Sequence, residues 1–411
     1  MTTTAITSWA GPIAARSEEA GAAFARAVRG VLAHRTAGGE ALAEALSLEP
    51  DLVPALALRG FSLRKLGRRD VLPEIDAILD GLAPSSPRDV ALVGALRAWR
   101  EDEGPRAADL LDARLAAAPE DLLLAKLAHG LRFMLGDSAG MRRSIERVLA
   151  AFADDAPGYG FLLGCHAFAL EETGDYDEAE RVGRRAVELE PDDVWGAHAV
   201  AHAFYMRGRH REGALWLRGY AHRLAGCTNL AGHVWWHEAL FHTELGRPAE
   251  ALAIFDEHIA PWLGRDYRDV SNGTSLLFRL EQLGVDVGDR WTRYATVAAA
   301  REGDHASPFA DLHYALALAA SGRVGLAARF VARMADAPGD GFDATVRAEV
   351  GVPLAAAVVD RFAGRARDAS RALERLNGET IRIGGSHAQR HLVRWIHESA
   401  RAEAALAGAH P

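Results

Sequence analysis

FLLGCHAFALEETGDYDEAERVGRRAVELEPDD, residues 161–193, sets the register of the whole chain. A small-residue helical run ends at Gly174 with Asp175 and Tyr176, a second helical run follows, and Pro191 starts the next element. Ala167 stands where the first helix must approach its partner, and Ala179 and Ala186 space the second. Working outward, glycines recur at Gly174, Gly208, Gly246, Gly284 and Gly322, at intervals of 34, 38, 38 and 38 residues. A fixed period of this length marks stacked helix hairpins, each of which buries its apolar stripe only against a neighbour.

The residues Gly174-Asp-Tyr, Ala179, Ala186 and Pro191 closely resemble a tetratricopeptide repeat. Gly208 with Gly213, Gly246 with Ala251 and Gly322 with Ala327 repeat the Gly-to-small interval, with insertions that lengthen the second helices or their loops. Upstream, Gly60 and Gly67, then Ala107 and Pro119, then Gly136 read as degenerate copies, and ALAEALSLEP ending at Pro50 reads as a further second helix. Gly364 with Ala369 suggests one more. The expectation is an all-α solenoid of about nine units with no linker in it. Its parts are an N-terminal tail (1–20), degenerate helical repeats (21–150), tetratricopeptide-like repeats (151–340), and a C-terminal repeat with a capping helix (341–411).

Composition narrows the function classes. Hydrophobic residues make up 49% and charged residues 25% of 411, with no apolar run long enough to span a membrane. The amino end lacks a basic segment followed by an apolar core, so a cytoplasmic protein is expected. Cys165 and Cys227 make neither a disulfide framework nor a zinc-type pair. A net charge of −9 without a basic stripe argues against nucleic acid as a partner. Of the 47 basic residues only Lys65 and Lys126 are lysines, a skew that a genome rich in G and C produces. Schiff-base and pyridoxal phosphate chemistry need a lysine. Both lysines lie in early, irregular repeats, so these mechanisms are set aside and the sequence names no cofactor. It carries no nucleophile elbow, phosphate loop or H-E-x-x-H helix.

In repeats of this type the leading helix of each hairpin lines the concave face. That register brings Trp195, His198, Ala199, His202 and Tyr205 to the face from one unit, and His233, Trp236, His237, Leu240 and Thr243 from the next. Ser271, Thr274, Ser275, Phe309, Leu312 and His313 follow, so the wall is polar and aromatic. His198 and His202 share a helical face, as do His233 and His237, with Cβ atoms roughly 5–6 Å apart. This is metal-ligand spacing, yet no third carboxylate or cysteine ligand is evident, and no metal is assigned. The alternatives are interhelical hydrogen bonding and acid/base or ligand-binding work near neutral pH. Nine of the 17 histidines fall between His166 and His258. His210, His222, His242 and His258 lie off the face, and His166 occupies a normally buried position. Trp195 and Trp236 are placed to stack on a ligand, whereas Trp235 fits core packing.

Near the carboxyl end Gly384-Gly385-Ser386 opens a helix, and Ser386 with Gln389 fits a capping box. The same entry could hold an anionic group, with His387 and Arg390 beside it. The repeats together with A-H-A-V-A-H (197–202), H-V-W-W-H-E-A-L-F (233–241), S-L-L-F-R-L-E (275–281), D-L-H (311–313) and G-G-S-H-A-Q-R (384–390) resemble the tetratricopeptide repeat protein 38 family over roughly residues 30 to 400. The resemblance implies a right-handed solenoid and supplies no reaction. It implies that His198, His202, His233, Trp236, His237, Asp311, His313, Ser386, His387 and Arg390 stand where the family's polar motifs stand.

Two functions compete. In one, the terminal helix caps the groove and makes a pocket for a small polar molecule. Trp195, His198, His233, Trp236, Ser271, Asp311, Ser386 and Arg390 then bind it, and His202, His237, His313 and His387 are candidates for acid/base chemistry. In the other, an open scaffold binds a peptide or partner protein. Neither reading involves a membrane, and neither fixes an oligomeric state. Both require the rings to face inward.

Overall fold

The computed structural model describes residues 4–5, 13–264 and 266–409. Most of the expected tail up to position 12 therefore lies outside the described residues, as do the last two positions. The secondary structure is helical throughout, apart from a two-residue ribbon pairing Thr4–Ala5 with Ala14–Ala15 and an isolated bridge between Arg35 and Cys227. Among the described residues no helix is long and apolar enough to cross a membrane.

The hairpin Tyr159–Glu172 and Tyr176–Leu189 shows how the sequence builds a unit. Gly174 adopts φ +87, and its N–H donates to the Glu171 carbonyl while that of Asp175 reaches back to Leu170, each at 2.9 Å. This closure satisfies carbonyls that a helix end leaves open, and it needs a left-handed residue at the turn. It recurs at Gly136, Gly208, Gly246, Gly284, Gly322 and Gly364, so the glycine period is the period of the turns. Ala179 and Ala186 are fully buried. A Cβ on Gly183 would come within 2.6 Å of Val200, so that glycine lets the following helix Val194–Met206 approach closely.

The same closure is made without glycine at two further turns. Asp102, at φ +63, joins Pro87–Arg100 to Gly104–Ala117, and His34, at φ +55, joins Glu18–Leu32 to Ala37–Leu48. These positions extend the repeat to the first helix of the chain. The insertions expected after Gly208, Gly246 and Gly284 follow the second helices. They form a 3-10 turn at Ala221–Arg223, a π turn at Phe255–Ile259 with a 3-10 turn at Ala260–Trp262, and the loop beyond Ala299.

The helices gather into two compact units. One comprises residues 1–65 and 71–231, the other 66–70 and 232–411. In the first, the turn of the opening hairpin is tied to the segment that follows its last hairpin. Arg35 donates to the carbonyls of Arg223 and Ala225 at 2.8 Å and to Asp192 at 2.9 Å. Thr228 N–H donates to the His34 carbonyl at 2.8 Å, and Thr36 N–H to Gly226 at 3.0 Å. The first unit is thus latched end to end. In the second unit, the C-terminal helix His387–Ala409 packs on Ala366–Arg375 and folds back onto Tyr267–Gln282.

Candidate functional site

In the first unit, leading helices converge on Trp195. Its ring lies 4.6 Å from Phe168, 5.0 Å from His198, 5.6 Å from a stacked His34 and 5.7 Å from His129, between centroids. Its Nε1–H donates to His129 Nε2 at 3.1 Å. His198 and His202 are buried, with their Nε2 atoms 2.9 Å apart. One ring must donate and the other accept across that contact, so the pair shares a single proton. On the other side of His202, Nδ1 faces Glu171 Oε2 at 3.4 Å. Glu171, Glu172 and His202 bring ligand-type atoms within 4.8 Å of one another, all buried. The carboxylates not evident beside the histidines in the sequence come from the end of the helix Tyr159–Glu172, in the preceding hairpin.

Lys126 and Asp193 complete this environment. The Lys126 ammonium sits 4.8 Å from the Trp195 ring centroid and 3.8 Å from Cys165 Sγ. Burial raises the Asp193 carboxyl to about 7, against the opposing pull of Lys126 and the N–H groups of Gly196 and Trp195. Burial lifts the Cys165 thiol to about 11, which makes it an inert, packed thiol.

In the second unit the centre is Arg279, fully buried. Its guanidinium donates to the carbonyls of Ser275 at 3.0 Å and Ala388 at 3.1 Å, and lies 5.6 Å from the Trp236 ring centroid. Trp236 donates to Ser275 Oγ at 2.9 Å. His233 stacks on Trp236 at 5.1 Å, stands 4.8 Å from His237, and meets Asn272 Oδ1 through Nδ1 at 2.8 Å. His313 meets the Phe309 carbonyl through Nδ1 at 2.8 Å, leaving Nε2 as the acceptor. Burial pushes His313 down to about 4, the carbonyl opposing and the Arg279 charge adding. His391 falls to about 4 for the same leading reason, with Arg279 again contributing.

The start of the C-terminal helix forms the expected capping box. Ser386 N–H donates to Gln389 Oε1 at 2.9 Å, and Gln389 N–H to Ser386 Oγ at 3.3 Å. Arg390 turns back to the Gly385 carbonyl. Gly385 has φ +77, and a Cβ there would come within 2.5 Å of Phe309, so no other residue fits.

The candidate residues named from the sequence thus divide between the units. Trp195, His198 and His202 gather in the first. In the second, Trp236, His233 and His237 gather by the Ser275 and Arg279 side chains. Ser271 bonds to its own helix at Tyr267, and Asp311 faces His305 Nδ1 at 3.2 Å. His387 and Arg390 begin the C-terminal helix whose Ala388 carbonyl Arg279 holds. Trp235 stacks on His258 at 3.8 Å, and His166 is half-buried beside Glu146. His222 is exposed, whereas His242 is buried. Sequence reasoning alone does not single out His129, Glu171, Asn272, Arg279 or His305, and it notes Lys126 only as one of two lysines, without a place in the site. For Arg279 a signal exists, a lone arginine inside the apolar run S-L-L-F-R-L-E.

No protein-family model matches the chain. It is similar to a tetratricopeptide repeat protein from Parabacteroides merdae ATCC 43184, at 13% identity over 74% of this chain and 100% of that one, with a TM-score of 0.41. It is also similar to the Rap protein complexed with competence and sporulation factor, at 14% identity over 78% and 98%, with a TM-score of 0.48. The Cut9–Hcn1 hetero-tetramer of APC/C gives 14% over 94% and 77%, with a TM-score of 0.41. At such scores the assignment rests on the hairpins and their turns. This is an all-helical repeat protein of the tetratricopeptide type.

Proposed function

We propose that the protein binds a small polar ligand among the histidines and tryptophans of its leading helices and performs histidine acid/base chemistry on it. We further propose that it belongs to the tetratricopeptide repeat protein 38 family, on the motifs quoted above. One observation carries the functional reading: in each unit the polar and aromatic side chains of these helices are turned inward and packed on one another. A groove built for an extended peptide presents its recognition side chains to solvent. Imidazoles packed against indoles, with a few convergent polar groups, instead resemble the lining of a small-molecule site. His202 fits a proton-moving role best, since one ring nitrogen faces Glu171 and the other His198. His313 fits an acceptor role, because its proton is committed to Phe309. His237 and His387 remain acid/base candidates by position.

No metal is assigned in this reading. Two buried free thiols fit a reducing, cytoplasmic setting. The test is a thermal-shift screen of metabolites, with mass spectrometry of whatever co-purifies. His202→Ala and His237→Ala should each abolish the shift of a hit while the helical spectrum stays intact. An unchanged shift would remove both residues from the site, and stabilisation by peptides alone would favour a scaffold.

A further inference from the structure

All but two of the 47 basic residues are arginine, and both exceptions bear on one place. Lys126 lies on the helix Leu122–Met134, and the Lys65 ammonium reaches Gly130 of that helix. Lys126 is only 8% exposed. Its Nζ touches a thiol at 3.8 Å and the face of Trp195, and among the described residues no carboxylate oxygen lies within 4.0 Å of it. A buried ammonium is costly unless an anion compensates it.

His129 stands three residues on, so it shares the Lys126 face of the helix. Its Nε2 accepts the Trp195 N–H, which puts the ring proton on Nδ1. That nitrogen is buried and has no acceptor among the described residues. Burial, and then the two nearby ammonium groups, hold His129 well below its ordinary titration range, so it remains a neutral donor. A buried ammonium whose hydrogen-bond acceptor is a thiol, and a neutral buried donor without one, thus share one helix face beside a partly buried indole. Of the two ammonium groups near this face, one is offset by the buried Asp193 carboxyl as it ionises, and one positive charge remains to match one negative charge. A carboxylate satisfies that balance, whereas a phosphate dianion exceeds it.

We propose that the first unit binds the carboxylate of a small organic acid, with Lys126 Nζ and His129 Nδ1–H as its donors and the Trp195 ring as its platform. This rests on the ligand-binding reading above and names the class of ligand. Arginine does not substitute, because its planar fork is wider than the compact ammonium that fits between Trp195 and Cys165.

With only two lysines, selective 13C labelling of lysine gives two side-chain Cε signals, which a Lys65→Arg variant assigns. Propionate should move the Lys126 signal saturably, while propionamide and inorganic phosphate should act at least about tenfold more weakly. His129→Gln should weaken the propionate response by about tenfold, the value of one hydrogen bond to a charged group. Lys126→Met, which removes a buried charge at similar volume, should fold and abolish the propionate-induced thermal shift. Equal responses to propionate and propionamide, a preference for phosphate, or no saturable response would each overturn the proposal. If metabolites still give His202-dependent shifts while carboxylates are silent, this proposal fails and the ligand-binding reading survives. A saturable Lys126 response to propionate, with no His202-dependent metabolite shift, would support the carboxylate site and remove the histidine chemistry instead.

Discussion

Replacing Asp193 with Asn should stabilise the first unit at neutral pH and flatten its pH dependence. The Asp193 carboxyl titrates at about 7 in the folded chain, against 3.8 as its ordinary value, because burial disfavours the anion. Between those values the folded state holds a proton that the unfolded state has released. Stability therefore falls as pH rises from about 4 to about 7, with a slope approaching 1.36 kcal/mol per pH unit. The full span sets a ceiling of about 4 kcal/mol, and the loss persists above pH 7. Lys126, Cys165, Glu190 and Tyr220 share this neighbourhood, and of these only Lys126 lowers the Asp193 value. Asn retains an oxygen for the N–H groups of Gly196 and Trp195 but cannot ionise. Thermal midpoints of the two proteins should coincide near pH 4 and separate by about 3–5 °C per pH unit up to neutrality. Lys126→Met in the Asp193 background should extend the dependence to higher pH, because the folded carboxyl then ionises later. Superimposable midpoints from pH 4 to pH 8 would refute the account and show that Asp193 ionises as a hydrated carboxylate does.

Other perturbations follow from single contacts. Asp121→Ala removes both an ion pair to Arg88 and the cap on Leu124 N–H, all buried, and should cost about 3–5 kcal/mol by urea denaturation. Arg279→Met releases the Ala388 carbonyl and should raise amide exchange at the start of the helix His387–Ala409, with a loss of about 2–4 kcal/mol. Gly385→Ala forces a side chain into a left-handed turn against Phe309 and should destabilise the same helix by at least about 1–2 kcal/mol, again read by amide exchange. Incubation with a chelator should leave the melting temperature unchanged, and a stoichiometric metal in purified protein would instead place an ion among Glu171, Glu172 and His202.

Turn chemistry makes most of the fold legible. A left-handed closing residue is nearly always glycine, so Gly136, Gly174 and their successors announce themselves at a fixed spacing. Asp102 and His34 make the same turn with a side chain, and a search for glycine passes over them. Helical periodicity is enough to bury His198, His202, Trp236 and His237, with Trp195 partly buried beside the first pair. It does not supply Glu171, which meets His202 across the boundary between hairpins, where distance along the chain carries no geometry. Arg279 is hidden by its apolar neighbours, whose burial is what carries it into the core. Lys126 stands out in the sequence as one of two lysines, but its irregular repeat gives no register to place it, and the helix that carries it forms one wall around Trp195.

The tie between Arg35 and the residues around Ala225 changes how the first unit can come apart. A row of hairpins with loose ends melts inward from its margins, one layer at a time. Fastening the first turn to the last loop leaves no margin to melt from. Cleaving that clasp would return six hairpins to the behaviour of an ordinary stack.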